Sequence, residues 1–116
     1  LINREVVGLT HKQIITDLTI RTLERDRKYI GDFKMQRAFD MWFDNQIMML
    51  HSDLKNIKAE LGKNGVKLQG SKPDGDFTVY TIVEKGMVSE EKRYSNIALR
   101  NHCEVEIKRL LGLEGK

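Results

Sequence analysis

Between Lys34 and Leu61 the apolar residues Met35, Phe39, Trp42, Phe43, Ile47, Leu50, Leu54, Ile57 and Leu61 recur at spacings of three and four, with no glycine or proline among them. This pattern predicts one unbroken helix. Its 28 residues at about 1.5 Å each span about 42 Å, more than the roughly 30 Å diameter of a small domain. Such a helix needs a long partner surface. Upstream, Thr10 followed three residues later by Gln13 matches a capping box and predicts a first helix from near His11. That helix carries Ile14, Ile15, Leu18 and Leu23, then turns charged from Glu24 to Lys28. Gly31 is expected to stop it and Asp32 to cap the long helix, which makes the two antiparallel.

After Leu61 the period changes from 3.6 to two. Gly62 and Asn64-Gly65 are stop and turn residues, and Val66 and Leu68 then alternate with Lys67 and Gln69. Pro73-Asp74-Gly75 predicts a turn. With the turn at Pro73-Asp74, Leu68 pairs with Val79, and Phe77, Val79, Thr81 and Val83 form the apolar face of the next strand. Gly86 starts a second turn, followed by Met87–Tyr94, whose alternation is poor. A last helix, Asn96–Leu111, carries Ile97, Leu99, Cys103, Ile107, Leu110 and Leu111 and stops at Gly112. The expected fold is a single α+β domain over residues 1–116. It consists of an antiparallel helical hairpin with one long helix, a small antiparallel sheet (β-hairpin or three-stranded meander) and a C-terminal helix. No glycine-rich loop joins a strand to a helix, which excludes a dinucleotide fold.

Composition narrows the setting. With 40% hydrophobic residues and no run of about 18 apolar residues, the chain reads as an ordinary globule without a membrane span. Charge at Arg4 and Glu5 does not suit a signal peptide, so a cytoplasmic location is expected. Cys103 stands alone and is expected as a small buried hydrophobe. The net charge is +3, with segment balances of +2 (1–30), −1 (31–62), +1 (63–95) and +1 (96–116). So even a distribution is a weak footprint for gripping a phosphate backbone.

Candidate chemistry is sparse. Asp40, Asp44 and His51 share one flank of the long helix, but no second ligand stands four residues from His51; ion pairs with Arg21 and Arg25 account for the two carboxylates. His51-Ser52-Asp53 cannot form a triad, because consecutive helical side chains point about 100° apart. The same divergence separates His102 from Cys103, and His11 is expected to be exposed. No convergent set of titratable groups anchors an enzyme, so neither a catalytic residue nor a metal or cofactor is assigned.

Binding remains. Gln46, Asp53 and Glu60 repeat every seven residues within the apolar arc, the spacing by which polar residues fix register in paired helices. A narrower arc leaves the two acidic residues at a solvated edge. Met35, Met41, Met49, Phe39, Trp42 and Phe43 are expected in the core, whereas Met48 faces the opposite side. The sequence therefore predicts a protein-interaction domain of regulatory or scaffolding type, homodimeric through Gln46, Met48, Asp53, Ile57, Glu60 and Leu61. The alternative is a nucleic-acid-binding regulator using Lys67, Lys72, Tyr80, Lys92 and Arg93, in which the interleaved acidic residues are unfavourable.

Overall fold

The computed structural model describes residues 4–114. It runs α1 (Arg4–Asp26), a 3-10 turn (Arg27–Tyr29), α2 (Gln36–Lys63), β1 (Val66–Asp74), β2 (Phe77–Glu84), β3 (Met87–Ser95) and α3 (Asn96–Leu110). The strands form one antiparallel sheet in the order β1-β2-β3, so the architecture is the expected α+β arrangement with a complete meander.

α1 begins at Arg4, well before the expected start near His11. Packing explains the extension: Val6 is buried with Leu61, Val66 and Ile82, and Leu9 lies against the same cluster. Burial of two apolar side chains outweighs the cost of Gly8 in a helix, about 1 kcal/mol. Thr10 is consequently interior and caps nothing. Its hydroxyl donates to the Val7 carbonyl at 2.8 Å, as Thr19 and Thr22 donate to Ile15 and Leu18. These back-bonds let threonines sit in an apolar seam without an orphaned hydroxyl.

The link to α2 also differs from expectation. Gly31 has no positive φ, and Met35, without a side-chain cap bond, takes the position expected of Asp32. The connection is longer because it carries Ile30 inward, where it is buried with Leu23, Phe43, Leu50 and Leu54. Val6 meets Leu61 at one end and Leu23 meets Phe43 at the other, so α1 and α2 are antiparallel along their length. α1 is the partner of α2 from Phe43 to Leu61.

In the first hairpin Asp74 pairs with Phe77 and Leu68 with Ile82, so the loop is Gly75-Asp76 and the expected pairing of Leu68 with Val79 does not occur. A two-residue hairpin loop wants positive φ at its first position; Gly75 supplies +61°, whereas Pro73 is locked near −65°. A bulge at Gln69 shifts the register once more. The helix-facing side of β2 is therefore Tyr80 and Ile82, and Val79 faces away between Lys72 and Arg93. The second loop, Lys85-Gly86, has φ of 52° and 82°, the two positive values of a type I′ turn. Lysine tolerates that region poorly and asparagine well. Lys85→Asn is expected to raise stability by about 0.5–1 kcal/mol, read as a higher urea midpoint. A lower midpoint would show that the Lys85 side chain, beside Gly65, contributes more than the strain costs.

The N-cap of α3 is Ser95, whose Oγ accepts from the Ala98 amide at 3.0 Å. It ends in a Schellman motif, with Gly112 at φ +77° and the Leu113 amide donating to Lys108 at 2.8 Å. Leu99 packs on Ile14, Ile15 and Tyr80, while Ile107 and Leu110 reach the cluster of Leu23 and Phe43. α3 thus runs parallel to α1; the sheet packs on the helices through two clusters, those of Ile82 and Tyr80, and the cluster of Leu23 and Phe43 lies among the helices and the α1–α2 connection. The molecule is elongated, 51 × 32 × 27 Å, with a radius of gyration of 15.9 Å against about 13 Å for a compact chain of this length.

Candidate functional site

The end of the molecule away from the sheet is unevenly covered. Here the first turns of α2 extend past α1 and α3, and Tyr29, Phe33, Met35, Phe39 and Met41 stand exposed, joined by Leu111 and Leu113 after α3. Contrary to the core expectation, Met35, Phe39, Met41 and Met49 are on the surface; of that group only Phe43 is buried and Trp42 half-buried. Between these residues lies a groove of about 520 Å³ with Ile30, Phe33, Phe39, Trp42, Phe43 and Ile107 in its lining. Phe33 and Phe39 meet edge to face at 5.1 Å, as do Trp42 and Phe43 at 5.3 Å, which fixes the rings that shape it. Asp26 is the charged residue of its lining. Arg27 binds Asp44 at 2.6 Å and Asp40 at 3.6 Å, which corrects the expected pairing of these carboxylates with Arg21 and Arg25.

A second cluster sits where α1, β3 and α3 meet. His11, expected to be exposed, is half-buried: its Nδ1 lies 2.8 Å from the Tyr94 hydroxyl, and its ring meets that of His102 edge-on at 4.8 Å. Tyr94 in turn meets Tyr80 at 5.7 Å. Burial, then the charges of His102 and Lys92, hold His11 below its ordinary value. Burial also lowers Lys92, whose Nζ donates to the Val7 carbonyl at 3.2 Å, and raises Tyr80 and Tyr94. The neutral imidazole ties α3 and β3 to α1. Because the unfolded chain protonates His11 at a higher pH than the folded one, stability is expected to fall as pH drops from about 7 to 5. His11→Gln should flatten that slope in urea titrations; an unchanged slope would place the proton uptake elsewhere.

The remaining sequence-derived residues scatter. Leu61 is 1% exposed within the core, so it is not available to a partner, and Ile57 is half-buried beside the same cluster. Asp53 and Glu60 are exposed, Glu60 pairing with Lys63 at 3.4 Å, and Gln46 is half-buried; the apolar arc is the narrower one. Met48 is exposed, as its position on the wheel implies. Of the nucleic-acid set, Lys67, Lys72 and Arg93 lie on the open face of the sheet, whereas Tyr80 and Lys92 lie on the helix side. Tyr80 is buried and cannot stack on a base, and Arg93 is engaged by Asp74 at 2.7 Å and by the Phe77 ring. The constellation is not brought together.

Cys103 is buried, its Sγ 3.7 Å from the Thr19 hydroxyl and 3.6 Å from that of Thr22. Among the described residues no three His, Cys, Asp or Glu side chains gather to hold a metal ion, and no helix is long and apolar enough to cross a membrane.

Fold and surface together define a small α+β domain, three helices on one face of a meander, with an apolar helical end. The chain belongs to the YhjD protein family, whose profile matches residues 1–115. It is similar to a protein of Bacillus subtilis (strain 168) described as "Uncharacterized protein YhjD", at 24% identity over 101 residues, covering 85% of this chain and 83% of that protein. No solved structure matches it.

Proposed function

We propose that this domain works by binding protein, and that a second copy of itself seats on the apolar helical end. The observation that carries the reading is the groove of Phe33, Phe39 and Trp42, with Tyr29 and Leu111 exposed in its lining and Met35 exposed between Phe33 and Phe39 in the chain. Aromatic and methionine surfaces left open on this scale mark contact sites. Self-association is favoured over a foreign partner by shape and by charge. Each copy offers both a groove and projecting apolar side chains, which is what a two-fold, self-complementary contact needs. Between Glu24 and Asp44 there are five cations and five carboxylates, so the surface does not repel its own copy.

Area supports the same reading. The chain exposes 8261 Å², whereas a compact monomer of its mass exposes roughly 6,500 Å². The difference exceeds the roughly 800 Å² that each partner buries in a typical stable complex. A cytoplasmic regulatory or scaffolding role suits such a domain, with Cys103 a free, buried thiol. Light scattering at micromolar concentration is expected to return twice the chain mass of 13.5 kDa. A monomer at every accessible concentration would overturn the proposal.

A further inference from the structure

The net charge of +3 looks dispersed along the sequence, but the fold gathers it. A groove of about 820 Å³ between α1, α3 and the sheet is lined by Arg21, Arg25, Arg100 and Lys108 against one carboxylate, Glu104. That surplus equals the formal charge of the entire chain. Glu104 is taken up by Lys108 at 3.7 Å, while Asp17 and Asp26, beside Arg21 and Arg25, lie outside the lining. Counting them leaves the balance positive. Arg100 makes no ion pair among the described residues, so its planar fork of donors is open to a phosphate or carboxylate.

The two ends of this groove differ in chemistry. At the sheet end, Thr78 donates to the Asn96 side-chain oxygen at 2.7 Å, which turns the Asn96 NH2 toward use as a donor one helical turn before Arg100. Ser71 and Tyr80 line the same end, and Arg21 acts on the Tyr80 phenol through its charge. At the other end Ile107, Leu111 and Leu113 line it beside Arg25 and Lys108, Leu113 held in place by the Schellman motif. Arg21, Arg100 and the Asn96 amide gather donors at the sheet end, and the aliphatic surface lies only at the other, which calls for a ligand with an anionic head and an apolar chain.

We infer that this groove binds an amphipathic organic anion, its phosphate or carboxylate head on Arg100, Arg21 and Asn96 and its apolar chain along Ile107, Leu111 and Leu113. Ile107 and Leu111 also line the apolar helical end, whereas Arg100, Arg21 and Asn96 lie outside it. Calorimetry with dodecyl phosphate below its micellar concentration should show saturable, one-to-one binding that weakens with salt. Arg100→Ser, at an exposed position, should keep the thermal midpoint and weaken binding by roughly tenfold or more through loss of charge-assisted bonds. Dodecanoate in parallel identifies the preferred head group, and binding of either probe supports the site. Dodecyl maltoside should not bind, and inorganic phosphate should bind more weakly than its dodecyl ester. The inference is overturned by the absence of saturable binding to both anions, by equal affinity for Arg100→Ser, or by inorganic phosphate matching the ester. Binding confined to phosphatidate vesicles would also overturn it, because a groove of this size takes a single free molecule.

Discussion

Leu61→Ala is expected to lower stability by about 2–5 kcal/mol and to leave the mass of the assembly unchanged. Leu61 is 1% exposed where the start of α1, the end of α2 and the sheet converge on Val6, Val66 and Ile82. Removing its branch opens a cavity among elements fixed by three separate backbones, which cannot all collapse into it. Urea titration gives the loss, and light scattering on the folded variant gives the mass. Weakened association with little loss of stability would return Leu61 to the interface that its place in the apolar stripe suggests.

Phe39→Asp should do the reverse, converting the proposed dimer to a 13.5 kDa species while the fold persists. Phe39 is 44% exposed in the free chain, so a carboxylate there stays hydrated until a partner covers it. Covering an unpaired charge costs about 3 kcal/mol or more, roughly a hundredfold or more in dissociation constant. Gln46→Ala, at the head of the seven-residue polar line, should leave the dimer intact. A dimer that survives Phe39→Asp but not Gln46→Ala would move the contact from the helical end to the middle of α2.

Elements whose local signals agree with their packing are legible in the sequence. The stripe of α2 from Phe43 to Leu61 and the run from Leu99 to Leu110 are of this kind, and both helices appear within a few residues of their expected bounds, as does β2, although it turns Tyr80 and Ile82 and not Val79 toward the helices. Readings fail where a local signal competes with a distant contact. Thr10 and Gln13 look like a cap, but Val6 finds Leu61, and the helix runs through them. Pro73-Asp74 is a good turn dipeptide in isolation, yet a hairpin that must twist with its strands needs the positive φ that only Gly75 offers. The candidate sites were harder still. His11 and His102, or Arg21 and Arg100, come from opposite ends of the chain, and their meeting depends on α3 lying along α1. Met35 and Phe39 follow helical spacing as faithfully as the core residues of α2, yet both are exposed, so periodicity alone could not reveal that α1 and α3 leave the first turns of that helix bare.

The interruptions in the sheet also bear on how many copies can gather. β1 is broken by the extra residue at Gln69 and by Pro73, and β3 by the extra residue at Ser89 beside a run of four charges from Glu90 to Arg93. Both outer strands are therefore poor templates for a further strand. Growth by edge-to-edge addition, the route to fibrils, is blocked on both sides. The proposed contact through the helical end would use up its own surface once two copies meet, so such an assembly would close at a pair, and crowding the protein should yield a finite particle where an open-edged sheet would polymerise.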